Sequence, residues 1–101
     1  SGYIDGSALI ALFDRDRERI TAAGRAAGSL MRVHDFFRRK PLTSARAIAD
    51  TLNVSAPTVT SALSRLQAIG IVEELSGRKW GRLYGYTEYL AILSDGTEPL
   101  R

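Results

Sequence analysis

The sequence predicts a mainly α fold with a small β-hairpin: a winged helix-turn-helix with an extra N-terminal helix and a short C-terminal helix. Three observations predict it. Two amphipathic segments, the first capped at Thr43 or Ser44 and the second at Ser55, are joined by a tight turn at Asn53. The period then changes, and IVEEL and RLYGY, rich in β-branched and aromatic residues, flank the two-glycine loop SGRKWG. Finally, the cations gather in the middle of the chain around these two features.

Each element has its own signal. SALIALFDRDRERITAAG starts at a cap, Ser7 or Asp5, and puts Leu9, Phe13 and Ile20 on one stripe, interrupted around Asp16 and Arg17. This helix is expected to end near Gly24. GSLMRVHDFFRRK places Leu30, Val33, His34 and Phe37 at i, i+3, i+4, i+7, and Pro41 stops it. Ala45, Ile48, Ala49 and Leu52 repeat that spacing. Asn53 tolerates the left-handed conformation that ends the helix, and Val54 plugs the turn. Pro57 suits the first turn of the next helix, whose buried stripe is Val59, Ala62, Leu63, Leu66 and Ile69, with Gly70 closing it. After the hairpin, TEYLAIL resumes a helical pattern from Thr87. The chain thus divides into a tag or linker (1–6), an N-terminal connecting helix (7–24), the winged helix-turn-helix domain (25–93) and a C-terminal tail (94–101).

Composition narrows the function. A chain of 101 residues supports one small core. It contains no cysteine and one histidine, which excludes disulfide and thiolate metal scaffolds. No cofactor and no metal are expected, and no membrane partner, because no apolar run approaches about twenty residues. The chain lacks an initiator Met and a leader pattern, so it reads as a piece of a longer cytoplasmic protein. Residues 38–82 hold eight basic side chains against three acidic, whereas 1–37 are balanced at five each. Such an asymmetry suits a surface facing a polyanion.

The segment Ala56–Ile69 carries one charge, Arg65, and its solvent side is Thr58, Thr60, Ser61, Ser64 and Gln67. In a helix-turn-helix the second helix enters the major groove, where hydroxyls reach phosphates and base edges at short range. Thr58, Thr60, Ser61, Ser64 and Arg65 are therefore the expected readers of double-stranded DNA. Arg78, Lys79 and Arg82 of the wing are expected on backbone or minor groove. The competing reading makes the hydroxyl face a docking surface for another domain. Arg38, Arg39 and Lys40 read as the cationic end of a helix, Trp80 as folding back on its sheet, and Tyr84, Tyr86 and Tyr89 as packing. His34, beside Asp35, lacks a nucleophile and reads as structural.

The runs LIALFDRDRERI, AAGSLMRVHDFFRRKP, VSAPTVTSALSRLQAIGIVEELSGRKWGRLYGY and YLAILSDGTEP resemble the C-terminal region of bacterial Fic-domain proteins, from about Leu9 to Leu100. That family transfers AMP from ATP to a hydroxyl side chain with an HPFxxGNGR motif. Here His34 is followed by Asp35 and Phe36 with no GNGR, so the resemblance implies an accessory, non-enzymatic module. Its partners would be DNA, the Fic catalytic core in the parent chain, and a second copy of itself in a homodimer. The helix Ser7–Ala23 would bridge to the core, leaving Leu9 to Phe13 without their packing partner. The alternative function is an interdomain, protein-interaction or dimerisation module of a Fic adenylyltransferase that binds no DNA.

Overall fold

The computed structural model describes residues 6–97. Helix α1 (Gly6–Thr21) is followed by a 3-10 turn (Gly24–Ala26), α2 (Ala27–Arg39), strand β1 (Leu42–Ser44), α3 (Ala45–Leu52) and α4 (Ala56–Ile69). Strands β2 (Glu73–Glu74) and β3 (Leu83–Gly85) lead into α5 (Thr87–Thr97). The three strands form an antiparallel sheet ordered β1-β3-β2, with Tyr84 facing Thr43 on one side and Glu74 on the other. This is a winged helix fold. Residues 1–5 of the expected tag or linker and 98–101 of the expected tail lie outside the described residues. Within the tail, the helix continues to Thr97, past the expected boundary at residue 94.

Local chemistry explains the central motif. The Ser44 side chain accepts from the Ala47 N–H and the Ser55 side chain from the Thr58 N–H, each satisfying one of the orphan donors of a helix start. Asn53 takes the left-handed conformation (φ 56°) and Gly70 closes α4 (φ 92°). Val59, Ala62, Leu63 and Leu66 bury one face of α4 against α2 and α3, while Ile48 fills the core from α3. Fully burying each such side chain contributes about 1.5–3 kcal/mol. The sequence reading missed β1: three residues directly after a proline, the last of them the helix cap Ser44, carry no strand signal of their own. They pair because β3 offers them an edge.

Helix α1 departs from expectation. Its buried side chains are Leu12, Asp16 and Ile20, so the residue taken as an interruption of the stripe lies on the core face. Nor does the 9–13 stretch lack a partner: α1 packs on α2 and α5, Leu12 is buried, and Phe13 stands edge-on to Tyr89 at 5.2 Å. Among its large apolar side chains Ile10 remains exposed.

Burying Asp16 demands partners, since an unpaired internal carboxylate is costly. Its Oδ1 accepts from Arg15 (2.9 Å) and Arg19 (3.1 Å), and its Oδ2 from the Tyr86 hydroxyl (2.7 Å). The same hydroxyl lies 3.0 Å from Nε2 of His34. A phenol has one proton, and here it goes to Asp16, so His34 donates through Nε2. Burial, opposed by the Asp16 charge, holds the His34 pKa below its ordinary value, and burial with the Asp16 hydrogen bond pushes the Tyr86 phenol up. His34 is thus structural, with its Nδ1 buried and unpartnered among the described residues.

Two outcomes follow. Tyr86→Phe, which strips a donor from Asp16 and an acceptor from His34, should lower stability by about 1–3 kcal/mol in thermal or denaturant unfolding. A loss within about 0.5 kcal/mol, the range of an ordinary surface change, would show the network to be neutral. The second concerns pH. The unfolded chain protonates His34 near its ordinary pKa of about 6.5, above the folded value, so this contribution is complete above that pH. It is lost as pH falls below it, and the thermal midpoint should drop as pH falls from about 6.5. His34→Gln should flatten that drop.

Candidate nucleic-acid interface

Helix α4 stands as a ridge between two grooves. On one side a cleft of about 940 Å3 separates it from the wing, the β2–β3 hairpin, and here Thr60 shares the walls with Lys79, Trp80 and Arg82. Arg46 and Asp50 of α3 line the same cleft. On the other side a shallower groove of about 340 Å3 runs along the 3-10 turn and the start of α2, lined by Thr58, Ser61 and Arg65 with Ala26 and Ser29. Arg65 also borders Arg19 and Ala23 at the end of α1. The eight expected residues are all exposed, but they do not converge on one pocket. They spread over a ridge and a neighbouring arm.

Not every hydroxyl on the ridge is free. That of Thr58 lies 2.8 Å from the Ser55 hydroxyl, within the cap that starts the helix. Thr60, Ser61 and Ser64 are exposed without that duty. Arg65, in the second half of α4, sits beside α1 rather than at the leading end of the helix.

The charges divide in a telling way. On the helical body, Arg15, Arg17, Arg19 and Arg38 each pair with a carboxylate. Among the described residues, no ion pair joins Arg65, Arg78, Lys79 or Arg82 to an acid. Arg38 also lies 5.1 Å above the Phe13 ring, which ties this cation to the body of the protein. The cations expected to face a polyanion are thus among those in no ion pair, together with Arg25, Arg32, Arg39, Lys40 and Arg46.

The wing is held by Glu74, a residue the sequence reading passed over. Its Oε2 accepts from the Ser76 N–H (2.9 Å), the Ser76 hydroxyl (2.7 Å) and the Gly77 N–H (2.6 Å), and these bonds lower its pKa. The Ser76 hydroxyl in turn accepts from the Leu83 N–H at 3.1 Å, stitching the two arms. A carboxylate two and three residues before Ser-Gly was the available signal. For Arg46 and Asp50 the signal was their i, i+4 spacing opposite the buried stripe of α3. Trp80 contradicts the expectation that it folds onto the sheet: it is 79% exposed.

No group of three or more His, Asp or Glu side chains among the described residues could hold a metal ion, and no helix there is long and apolar enough to cross a membrane.

Residues 40–81, which span α3, α4 and the wing to its tip, match the family model of bacterial regulatory proteins, gntR family. The structure is similar to that of the oxidized form of MarR from E. coli, with a TM-score of 0.52 and 21% identity, over 92% of this chain and 71% of that one. At that identity the likeness is one of fold. No curated protein matches the chain.

Glu74→Ala should loosen the wing without touching the core. Amide hydrogen exchange at Ser76, Gly77 and Leu83 should accelerate while that of α4 stays unchanged. Equal protection in the variant would mean that strand pairing alone sets the wing.

Proposed function

We propose that this chain is a DNA-binding winged helix-turn-helix module of a transcriptional regulator. Helix α4 reads the major groove through Thr58, Thr60, Ser61, Ser64 and Arg65, and Arg78, Lys79 and Arg82 hold the adjacent backbone. The observation that carries this reading is the ridge itself: an exposed, nearly uncharged face of short hydroxyls, flanked by unpaired cations. Long acidic side chains there would repel phosphate, and bulky ones would hold the helix out of the groove. The match of residues 40–81 to bacterial regulatory proteins supports it. A Fic parent rests on the resemblance of the flanking segments alone, and neither match above is to a Fic protein.

The test is fluorescence-anisotropy titration of mixed-sequence duplex DNA at several salt concentrations. Affinity should fall steeply with salt, and Arg78→Ala/Lys79→Ala/Arg82→Ala should make the log–log slope shallower by about 2–3, near 0.9 per lost phosphate contact. Ser61→Glu, which places a carboxylate on the ridge, should abolish binding in a folded protein. Absence of duplex binding at low salt would overturn the proposal and leave the hydroxyl face as a docking surface for a protein.

A further inference from the structure

Trp80 is the chain's one tryptophan, and it stands mostly in water on the wing, at the cleft that separates the wing from α3 and α4. Burying such a ring is strongly favourable, so folding alone gives no reason to expose it. The backbone makes that exposure part of the fold. Gly77 (φ 66°) and Gly81 (φ 62°) bracket the tip in a conformation that side-chain-bearing residues rarely adopt. Arg82 Nε donates to the Arg78 carbonyl at 2.8 Å and closes the turn between them. Lys79 Nζ lies 5.7 Å from the indole centroid, within cation–π range, so the protein's own ammonium covers one side of the ring. The tip therefore presents one flat apolar surface among three cations.

We propose that Trp80 is a minor-groove wedge. With α4 in the major groove, the wing reaches the neighbouring minor groove, its cations settle on phosphates, and the ring enters between bases. Apolar side chains inserted in this way partly unstack a step and kink the duplex. The indole N–H is also a donor for the adenine N3 and thymine O2 acceptors on the groove floor. The cost of unstacking is lowest at TA and CA/TG steps, so Trp80 selects sequence by deformability rather than by a base-specific hydrogen bond. Three cations around the ring favour a polyanion over a protein surface as what it meets. This inference rests on the DNA reading above.

The experiment compares two labelled duplexes of equal length, one with a central TA step and one a rigid A-tract. Anisotropy reports binding, and the emission of Trp80, uncontaminated by any other tryptophan, reports where the ring is. Saturation with the TA duplex should quench that emission and shift it to the blue. Trp80→Ala should bind the TA duplex about tenfold more weakly, near the low end of what losing one stacking aromatic costs, with little change on the A-tract. Trp80→Phe should recover most of the loss. Since the ring is exposed, both variants should melt as the parent does. Full binding with unchanged emission and an indifferent Trp80→Ala variant would refute the wedge while leaving the α4 reading intact. Failure to bind either duplex would remove the DNA reading, and the wedge with it.

Discussion

The Tyr86 hydroxyl is the point on which the rest of the structure depends. It sits just past β3, at the root of the wing, and meets a carboxylate from α1 and an imidazole from α2. The chain of contacts does not stop there. Asp16 is neutralised by Arg19, and Arg19 Nη2 also donates to the carbonyl of Ile69, the last residue of α4. The root of the wing and the end of α4 are thus joined through one buried carboxylate. An apolar cluster of equal volume would be at least as stable, since buried ion pairs rarely repay their desolvation. Directional bonds instead fix the angle between elements, and the two parts expected to straddle a duplex must keep a fixed spacing. Helix α1 thus shares one hydrogen-bond network with the end of α4 and the root of the wing.

The wing answers to a different logic. Its strands are two and three residues long, too short to hold a hairpin by pairing alone. Glu74 takes over that task by collecting three donors at the start of the loop. What lies beyond, Arg78 to Arg82, contributes nothing to the core and carries cations that form no ion pair among the described residues. A segment so arranged costs stability through exposed apolar area and like-charge crowding. Its composition is better accounted for by something it touches.

Much of this was legible in the sequence. The α3–turn–α4 unit could be read almost residue by residue, because Ser44, Asn53, Ser55, Pro57 and Gly70 each fix a local conformation by chemistry that needs no tertiary context. Three features were not legible. A buried Asp16 reads as a break in an apolar stripe until its partners, one of them seventy positions away, are brought to it. Strand β1 exists only because β3 offers a free edge. Trp80 was expected on the sheet because that is where a tryptophan usually gains most; it stands instead between two left-handed glycines, mostly exposed on the wall of the cleft shared with α3 and α4. At the candidate site, the residue types were readable, but their division between two grooves was not. That division depends on where the wing lands.

The division limits how α4 can discriminate among sequences. Thr58 is partly engaged by the helix cap, and Arg65 lies toward α1, which leaves Thr60, Ser61 and Ser64 to lead into a groove. Hydroxyls of this reach accept or donate to several bases almost equally well, unlike the bidentate contacts that arginine or asparagine make. On the proposed reading, three of them make a helix that would fit a groove closely without strongly preferring its sequence. Of the four unpaired cations proposed for the interface three sit on the wing, and cations on phosphates carry no sequence information. If such a molecule is selective, the selectivity must come from the shape and stiffness of the duplex. The one group placed to sense these at the wing is the exposed indole.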